Sequence, residues 1–247
     1  MKILITGSEG AVGRCITPYL AKEHSVIATV YKEEFLNKYN NENIKELILD
    51  VESLENCINT IKDVDAVIHL AGIPYPDSSF DDVLNKNMIA TYNILEACHI
   101  NKIKRVIYPS SAYAVEGYPI DKQVETTDNV RPKNFYGVSK CFGEAICSYY
   151  GYELGLEIIA LRIAAFNKVE IANKKLSVRD LSAYLSKRDL CHLIDRCLVS
   201  KMDKPFYILN AISDNTYKRL SLENTKSIIG YKPVDNAFVE CDIDLKQ

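Results

Sequence analysis

Lys2 to Thr6 is a short run dominated by apolar residues that ends directly in Gly7-Ser8-Glu9-Gly10-Ala11-Val12-Gly13, three glycines spaced three apart. A strand delivered into such a loop and followed by a helix leaves few folds open. Without a side chain, Gly7 makes a tight turn, Gly10 lets backbone approach a diphosphate, and Gly13 lets the helix lie close on the strand. The first helical N–H groups, at Ala11 and Val12, face outward with the positive end of the helix dipole, a setting that suits an anion. The spacing alone is shared with ordinary helix-packing turns, so its weight comes from the strand before and the helix after.

Further along, short apolar runs alternate with longer helical patterns. Strands are expected near 2–6, 25–30, 44–49, 65–70, 104–109 and 157–162, with helices near 11–22, 33–40, 53–62, 80–100 and 135–153. Such alternation predicts an α/β fold, a doubly wound parallel sheet with right-handed crossovers and a ligand crevice at the carboxyl ends of its strands. Residues 1–165 form the expected dinucleotide-binding domain. Beyond Phe166 the rhythm fades into a helix at 187–199, a strand at 206–209 and a helix at 221–229, which predicts a small substrate-side lobe over 166–247, packed on the first domain, partly returning to its core and without a separate core of its own. The Asn- and Lys-rich stretches 37–46 and 167–175 read as solvated loops or helix faces.

A net charge of -3 gives no basic field for a polyanion, so nucleic acid is not an expected partner. The eight cysteines include no Cys-x-x-Cys pair and fall mostly on expected helices, where they serve as reduced, small apolar side chains. No metal-ligand spacing accompanies His69 or the other histidines, and no metal is expected. Lacking a leader-like or membrane-length apolar segment, the chain is expected in the cytoplasm, away from membranes.

An acid at the end of the second strand would hold an adenosine ribose; Tyr31-Lys32 stands there instead. Lys32, helped by Arg14, can meet a 2′-phosphate, so NAD and NADP both remain open as the cofactor. Asp50 and Val51, after the third strand, are placed for the adenine edge. Leu70, Ala71 and Gly72, after the fourth, are placed for the ribose and phosphates. Asn87 either braces the strand bearing Ser111 or joins a proton path.

Two Tyr-x-x-x-Lys pairs occur among sixteen tyrosines. Tyr118/Lys122 contains Pro119 and lies in an expected loop. Tyr136/Lys140 opens a helix, where an offset of four sets both side chains on one face. A phenol with an ordinary pKa near 10 becomes a base near neutrality only beside a cation, and Lys140 supplies one. Ser111, at the end of the fifth strand, orients the substrate oxygen, with Ala112 and Tyr113 beside it.

Together these residues resemble the extended short-chain dehydrogenase/reductase family over roughly 1–165. Within it, His69 to Ile73, Ser110-Ser111 with Gly117-Tyr118-Pro119, Arg131-Pro132, Tyr136 to Glu144, Leu161-Arg162-Ile163 and Gly230 to Ala237 are similar to the hexuronate dehydrogenases. The resemblance implies catalysis by Ser111, Tyr136 and Lys140 and oxidation of a ring-form sugar acid at its anomeric carbon, with Arg179 pairing with the carboxylate. It also implies a homodimer through a four-helix interface. Three departures stand out: Ala112-Tyr113 replaces Asn-His after the serine, Ala164-Ala165-Phe166 replaces Gly-Ser-Cys, and Tyr31 replaces the ribose-binding acid. Two other readings stay open, a nucleotide-sugar epimerase or dehydratase that retains its cofactor and a dinucleotide-sensing regulator without turnover.

Overall fold

The computed structural model describes residues 1–171 and 175–243. In chain order the elements are β1 (Lys2–Thr6), α1 (Ala11–Leu20), β2 (Ser25–Val30), β3 (Ile44–Ile48), α2 (Leu54–Thr60), β4 (Ala66–His69), α3 (Phe80–Val83), α4 (Ala90–Ile100), β5 (Arg105–Tyr108), α5 (Phe135–Tyr152), β6 (Glu157–Ile163) and β7 (Ala165–Phe166). They continue as α6 (Lys168–Ile171), α7 (Val178–Ser182), β8 (Tyr184–Leu185), α8 (Lys187–Val199), β9 (Phe206–Ala211), α9 (Glu223–Ile229) and α10 (Ala237–Glu240).

Seven strands form one sheet in the order β3-β2-β1-β4-β5-β6-β9, and every pairing in it is parallel. Side-chain alternation sends Ile3 and Ile5 into the apolar layer under α1 and α8. Leu4 goes to the opposite layer, with Cys57, Ile94 and Cys147 from α2, α4 and α5. Burial on both faces explains why these strands read as unbroken apolar runs. Strand order reverses at β1, whose neighbours are β2 and β4, and the crevice above that reversal is where a doubly wound sheet binds ligands.

Two elements differ from expectation. The helix expected over 33–40 is a single 3-10 turn, Glu33–Phe35. Asn37 adopts φ 59, which a continuing α-helix cannot contain, and Tyr39 instead reaches back to donate to the Ser8 carbonyl at 2.9 Å. The helix expected over 80–100 is interrupted by a π-helical segment, Leu84–Ile89, which turns Asn87 into the interior. The C-terminal stretch returns in part to the main sheet, as expected, and adds a small cluster. Its strand β9 pairs with β6 in the main sheet, while Val169, Leu181, Tyr184, Ala237 and Phe238 make a small apolar cluster of their own. Of the Asn- and Lys-rich stretch 167–175, expected as solvated loop or helix face, residues 168–171 form α6 and 172–174 lie outside the described residues. Among the described residues no helix is long and apolar enough to cross a membrane, and no metal-holding cluster occurs among them.

Candidate active site

Gly7 sits at φ +65, and a Cβ there would lie 2.7 Å from the Ala71 nitrogen, so the loops after β1 and β4 abut at the reversal point. A Cβ on Gly13 would fall 2.6 Å from the Gly7 oxygen, which is why the third glycine lets α1 press on its own loop. Gly10 is different: a Cβ there would meet just the Gly7 oxygen at 3.3 Å, leaving the space above it open. Gly10 is also the N-cap of α1, with no side-chain cap, so first-turn N–H groups at Ala11 and Val12 are left for an anion. These features fit the diphosphate of a dinucleotide.

Beside the loop lies a cavity of about 360 Å³ lined by Ser8, Glu9, Arg14, Val30, Phe35, Lys38 and Tyr39. Glu9 Oε2 is buried without a partner, and burial raises the Glu9 pKa, with Arg14 partly opposing it. An unpartnered carboxylate oxygen suits a ribose diol, while Arg14 and Lys38 suit a 2′-phosphate. Tyr31 and Lys32 do not line this cavity. The Lys32 ammonium lies 5.3 Å from the Tyr31 ring centroid, and that ring in turn packs on Phe35. Sequence reasoning missed Glu9, Lys38 and Tyr39; the glycine motif named positions by backbone need, whereas Lys38 and Tyr39 arrive through the loop that replaces the expected helix.

Asp50 and Val51 follow β3 closely. The Asp50 side chain caps its own turn at the Glu52 nitrogen, and the Val51 carbonyl accepts from Asn93 at 3.0 Å. The Ala71 nitrogen donates to Thr6 Oγ1 at 3.0 Å, and Gly72 adopts φ +148 against Asn87. Asn87 uses both ends of its amide: Oδ1 accepts from the Ile73 nitrogen at 2.7 Å, and Nδ2 donates to the Ile73 carbonyl and Ser139 Oγ. It therefore ties the loop after β4 to α5 beside Lys140. His69 is a satisfied core residue, hydrogen-bonded to Thr6 and Thr91, and burial lowers its pKa to about 3.

The residues expected to react meet at the next strand. Ser111 caps a 3-10 turn, Ala112–Ala114, its Oγ accepting from the Tyr113 nitrogen at 3.2 Å. Asn134 caps α5 through the Gly137 nitrogen, and a Cβ on Gly137 would lie 2.5 Å from the Tyr113 oxygen. The start of α5 is thus seated against the serine turn, which brings Tyr136 beside Ser111. The Lys140 ammonium lies 5.6 Å from the Tyr136 ring centroid and 5.3 Å from that of Tyr108. The competing Tyr118/Lys122 pair also makes a cation–ring contact, but Lys122 is spent on Asp128 and the Tyr118 hydroxyl on the Asn129 carbonyl.

Burial dominates the electrostatics. It raises the Tyr136 pKa above the ordinary phenol value, with the neighbouring Ser111 hydroxyl pulling down and Tyr113 adding to the rise. It also lowers Lys140 to about 8. The protein's own groups hold Tyr136 as a neutral phenol and weaken the hold of Lys140 on its proton. A further pair escaped the sequence reading of function: Arg162 on β6 donates from Nε and Nη2 to the two Glu144 oxygens on α5, both at 2.9 Å and both residues buried. Ser110 Oγ donates to the same carboxylate at 2.5 Å, so the pair fixes the residue preceding Ser111. Opposite charges on a core strand and on the inner face of α5 were the available signal.

Tyr113 and Arg179 complete the mouth of the site. The Tyr113 ring meets Tyr136 edge-on at 5.6 Å, and the Arg179 guanidinium lies 5.4 Å from the Tyr113 ring. Ala112 is buried behind them.

This geometry can be set beside known proteins. Residues 3–167 match the NAD dependent epimerase/dehydratase family. L-arabinose 1-dehydrogenase (NAD(P)(+)) of Haloferax volcanii is 31% identical over 254 residues, spanning 96% of this chain and 97% of that protein. NAD-dependent glucose-6-phosphate dehydrogenase of the same organism is 29% identical over 256 residues, spanning 95% and 94%. The crystal structure of glucuronic acid dehydrogenase from Chromohalobacter salexigens superposes with a TM-score of 0.88 at 25% identity, covering 100% of this chain and 92% of that one. With the glycine loop, the reversal crevice and the Ser/Tyr/Lys convergence already in place, the chain belongs to the NAD dependent epimerase/dehydratase family, as an NAD(P)-dependent enzyme of the extended short-chain dehydrogenase/reductase type.

Proposed function

We propose that the chain oxidises the anomeric carbon of a ring-form sugar, a uronate-like sugar acid or the corresponding aldose, with Tyr136 as base. The observation that carries this reading is the meeting of Ser111, Tyr136 and Lys140 at the carboxyl ends of β5 and α5's first turns, beside the glycine loop. The relatives named for L-arabinose at position 1, glucose 6-phosphate and glucuronic acid support a sugar as substrate.

Gly7, Gly10, Ala11, Val12 and Gly13 would hold the diphosphate, Leu70 to Gly72 the adjoining ribose and phosphate edge, Asp50 and Val51 the adenine edge, and Lys140 the nicotinamide ribose. When bound, NAD or NADP supplies the two-electron acceptor and a positive charge beside the phenol. Ser111 Oγ orients the sugar's hydroxyl oxygen, and Tyr136 Oη takes its proton. The phenol's route to its basic form is pairing with Lys140: unit charges about 5 Å apart at an effective dielectric of about 20 attract by about 3 kcal/mol. That is roughly two pKa units, comparable to the lowering that burial imposes on Lys140. Tyr113 and Ala112 wall the sugar, and Arg179, which its own chain pairs with Glu116 and Asp180, is the cation beside that wall.

A panel of galacturonate, glucuronate, L-arabinose and glucose with NAD and with NADP tests the reading. Reduction of either cofactor by at least one sugar is expected. No reduction across the panel, or cofactor that stays bound and unconsumed while a sugar is epimerised, contradicts it.

The same reading includes a cytoplasmic setting, supported by free thiols such as Cys57, Cys98, Cys147 and Cys197 packed as apolar side chains. It also includes a homodimer through α4 and α5. Exposed Tyr92, Tyr149 and Tyr152 on those helices support that pairing, along with half-buried Phe142; Ile146 is turned partly into the core.

A further inference from the structure

Arg179 is already engaged by its own chain. Its Nε and Nη2 donate to Glu116 Oε1 and Oε2 at 3.1 and 2.8 Å, a two-pronged pairing along one edge of the guanidinium. Nη1 donates to Asp180 at 2.9 Å. The Glu116 backbone is firmly placed, because the Gly117 nitrogen donates to the Arg131 carbonyl at 2.7 Å and a Cβ on Gly117 would lie 2.5 Å from Arg131 Cγ. One cation thus stands between two carboxylates, 5.4 Å from the ring of Tyr113, which touches the catalytic tyrosine. A carboxylate bound in the geometry that a guanidinium favours needs that same Nε/Nη2 edge.

We propose that Glu116 is a specificity-determining residue that sets the charge of the substrate. Its carboxylate stands on Arg179 where a sugar carboxylate would bind. A neutral sugar enters without disturbing the pair, whereas a sugar acid must first displace Glu116 and leave it unpaired in a half-buried place, so the site favours neutral aldoses. The inference rests on the sugar-oxidising reading, which leaves acid and aldose both open, and it resolves that choice by an ion pair between residues 63 positions apart in sequence.

Galacturonate and L-arabinose test it, since their pyranose rings share the configuration of the ring hydroxyls and differ in the carboxylate. Each is titrated calorimetrically into the parent chain, Glu116→Gln and Asp180→Asn, with reduced cofactor present so that neither sugar is consumed. The parent is expected to bind L-arabinose more tightly. In Glu116→Gln the ratio of the galacturonate Kd to the L-arabinose Kd should fall about tenfold, and in Asp180→Asn less than threefold. A ratio that is unchanged or raised in Glu116→Gln overturns the proposal, as does an equal fall in both variants, which would assign the effect to net charge alone. No heat with either sugar in any of the three proteins also overturns it. Failure of the sugar-oxidising reading is distinguished by a separate readout, the absence of cofactor reduction by the parent, while the Kd ratio still decides the role of Glu116.

Discussion

Lys140 is kept in the core at a cost to stability. Its pKa in the fold is about 8, below the ordinary lysine value of 10.5, because burial disfavours the charged form. Below pH 8 the lysine is protonated in both folded and unfolded chains, and the cost is fully present. Between pH 8 and 10.5 the unfolded chain binds more proton than the folded one, so stability rises with pH and the cost disappears above that window. Lys140→Met should therefore stabilise the fold at pH 7 by up to about 3 kcal/mol while abolishing turnover. Thermal melts at pH 7 and pH 10.5 check this: the gain shrinks towards zero at the higher pH, and equal melting points at pH 7 would contradict it. At this scale, the offsets within Ser111, Tyr136 and Lys140 were readable, because helix periodicity converts a spacing of four into one face. The Glu116–Arg179 pair was not, since nothing local marks which acid will meet a distant arginine.

The elements are held around the site by the Arg162–Glu144 pair, which joins β6 to α5 and also takes the Ser110 hydroxyl. Removing one charge from a buried, two-pronged pair strands the other. Glu144→Gln should lower stability by about 3–5 kcal/mol, read as a lower urea midpoint, and should raise KM and lower kcat together as Ser111 loses its fixed neighbour. A midpoint within experimental error of the parent would show that the pair does not hold these elements. Element positions were legible where apolar periodicity was strong, as in β1, β2, β4, β5, β6 and α5. It failed where a polar stretch had no face to bury: Glu33 to Asn40 has helix-forming residues, yet the chain leaves the helix at Asn37 so that Tyr39 can reach the glycine loop. The π-helical turn at Asn87 was likewise invisible, because one extra residue per turn leaves almost no trace in a mixed sequence.

At the level of the whole molecule, alternation of strand and helix was enough to give the parallel, doubly wound sheet, and the glycine loop placed its crevice. The last third was harder, since its segments divide between two destinations: α8 and β9 complete the main core, while α7, β8 and α10 build a small cluster of their own. Sedimentation of the intact chain should show a dimer that Tyr149→Glu together with Tyr152→Glu converts to monomer; a monomeric parent would contradict the α4–α5 pairing. The most direct test of the central claim compares the parent with Tyr136→Phe in one assay, following reduced nicotinamide by absorbance and cofactor binding by calorimetry. The phenol's role as base predicts that kcat falls by about a thousandfold while the cofactor Kd stays within about twofold. A variant that turns over at the parent's rate would contradict it.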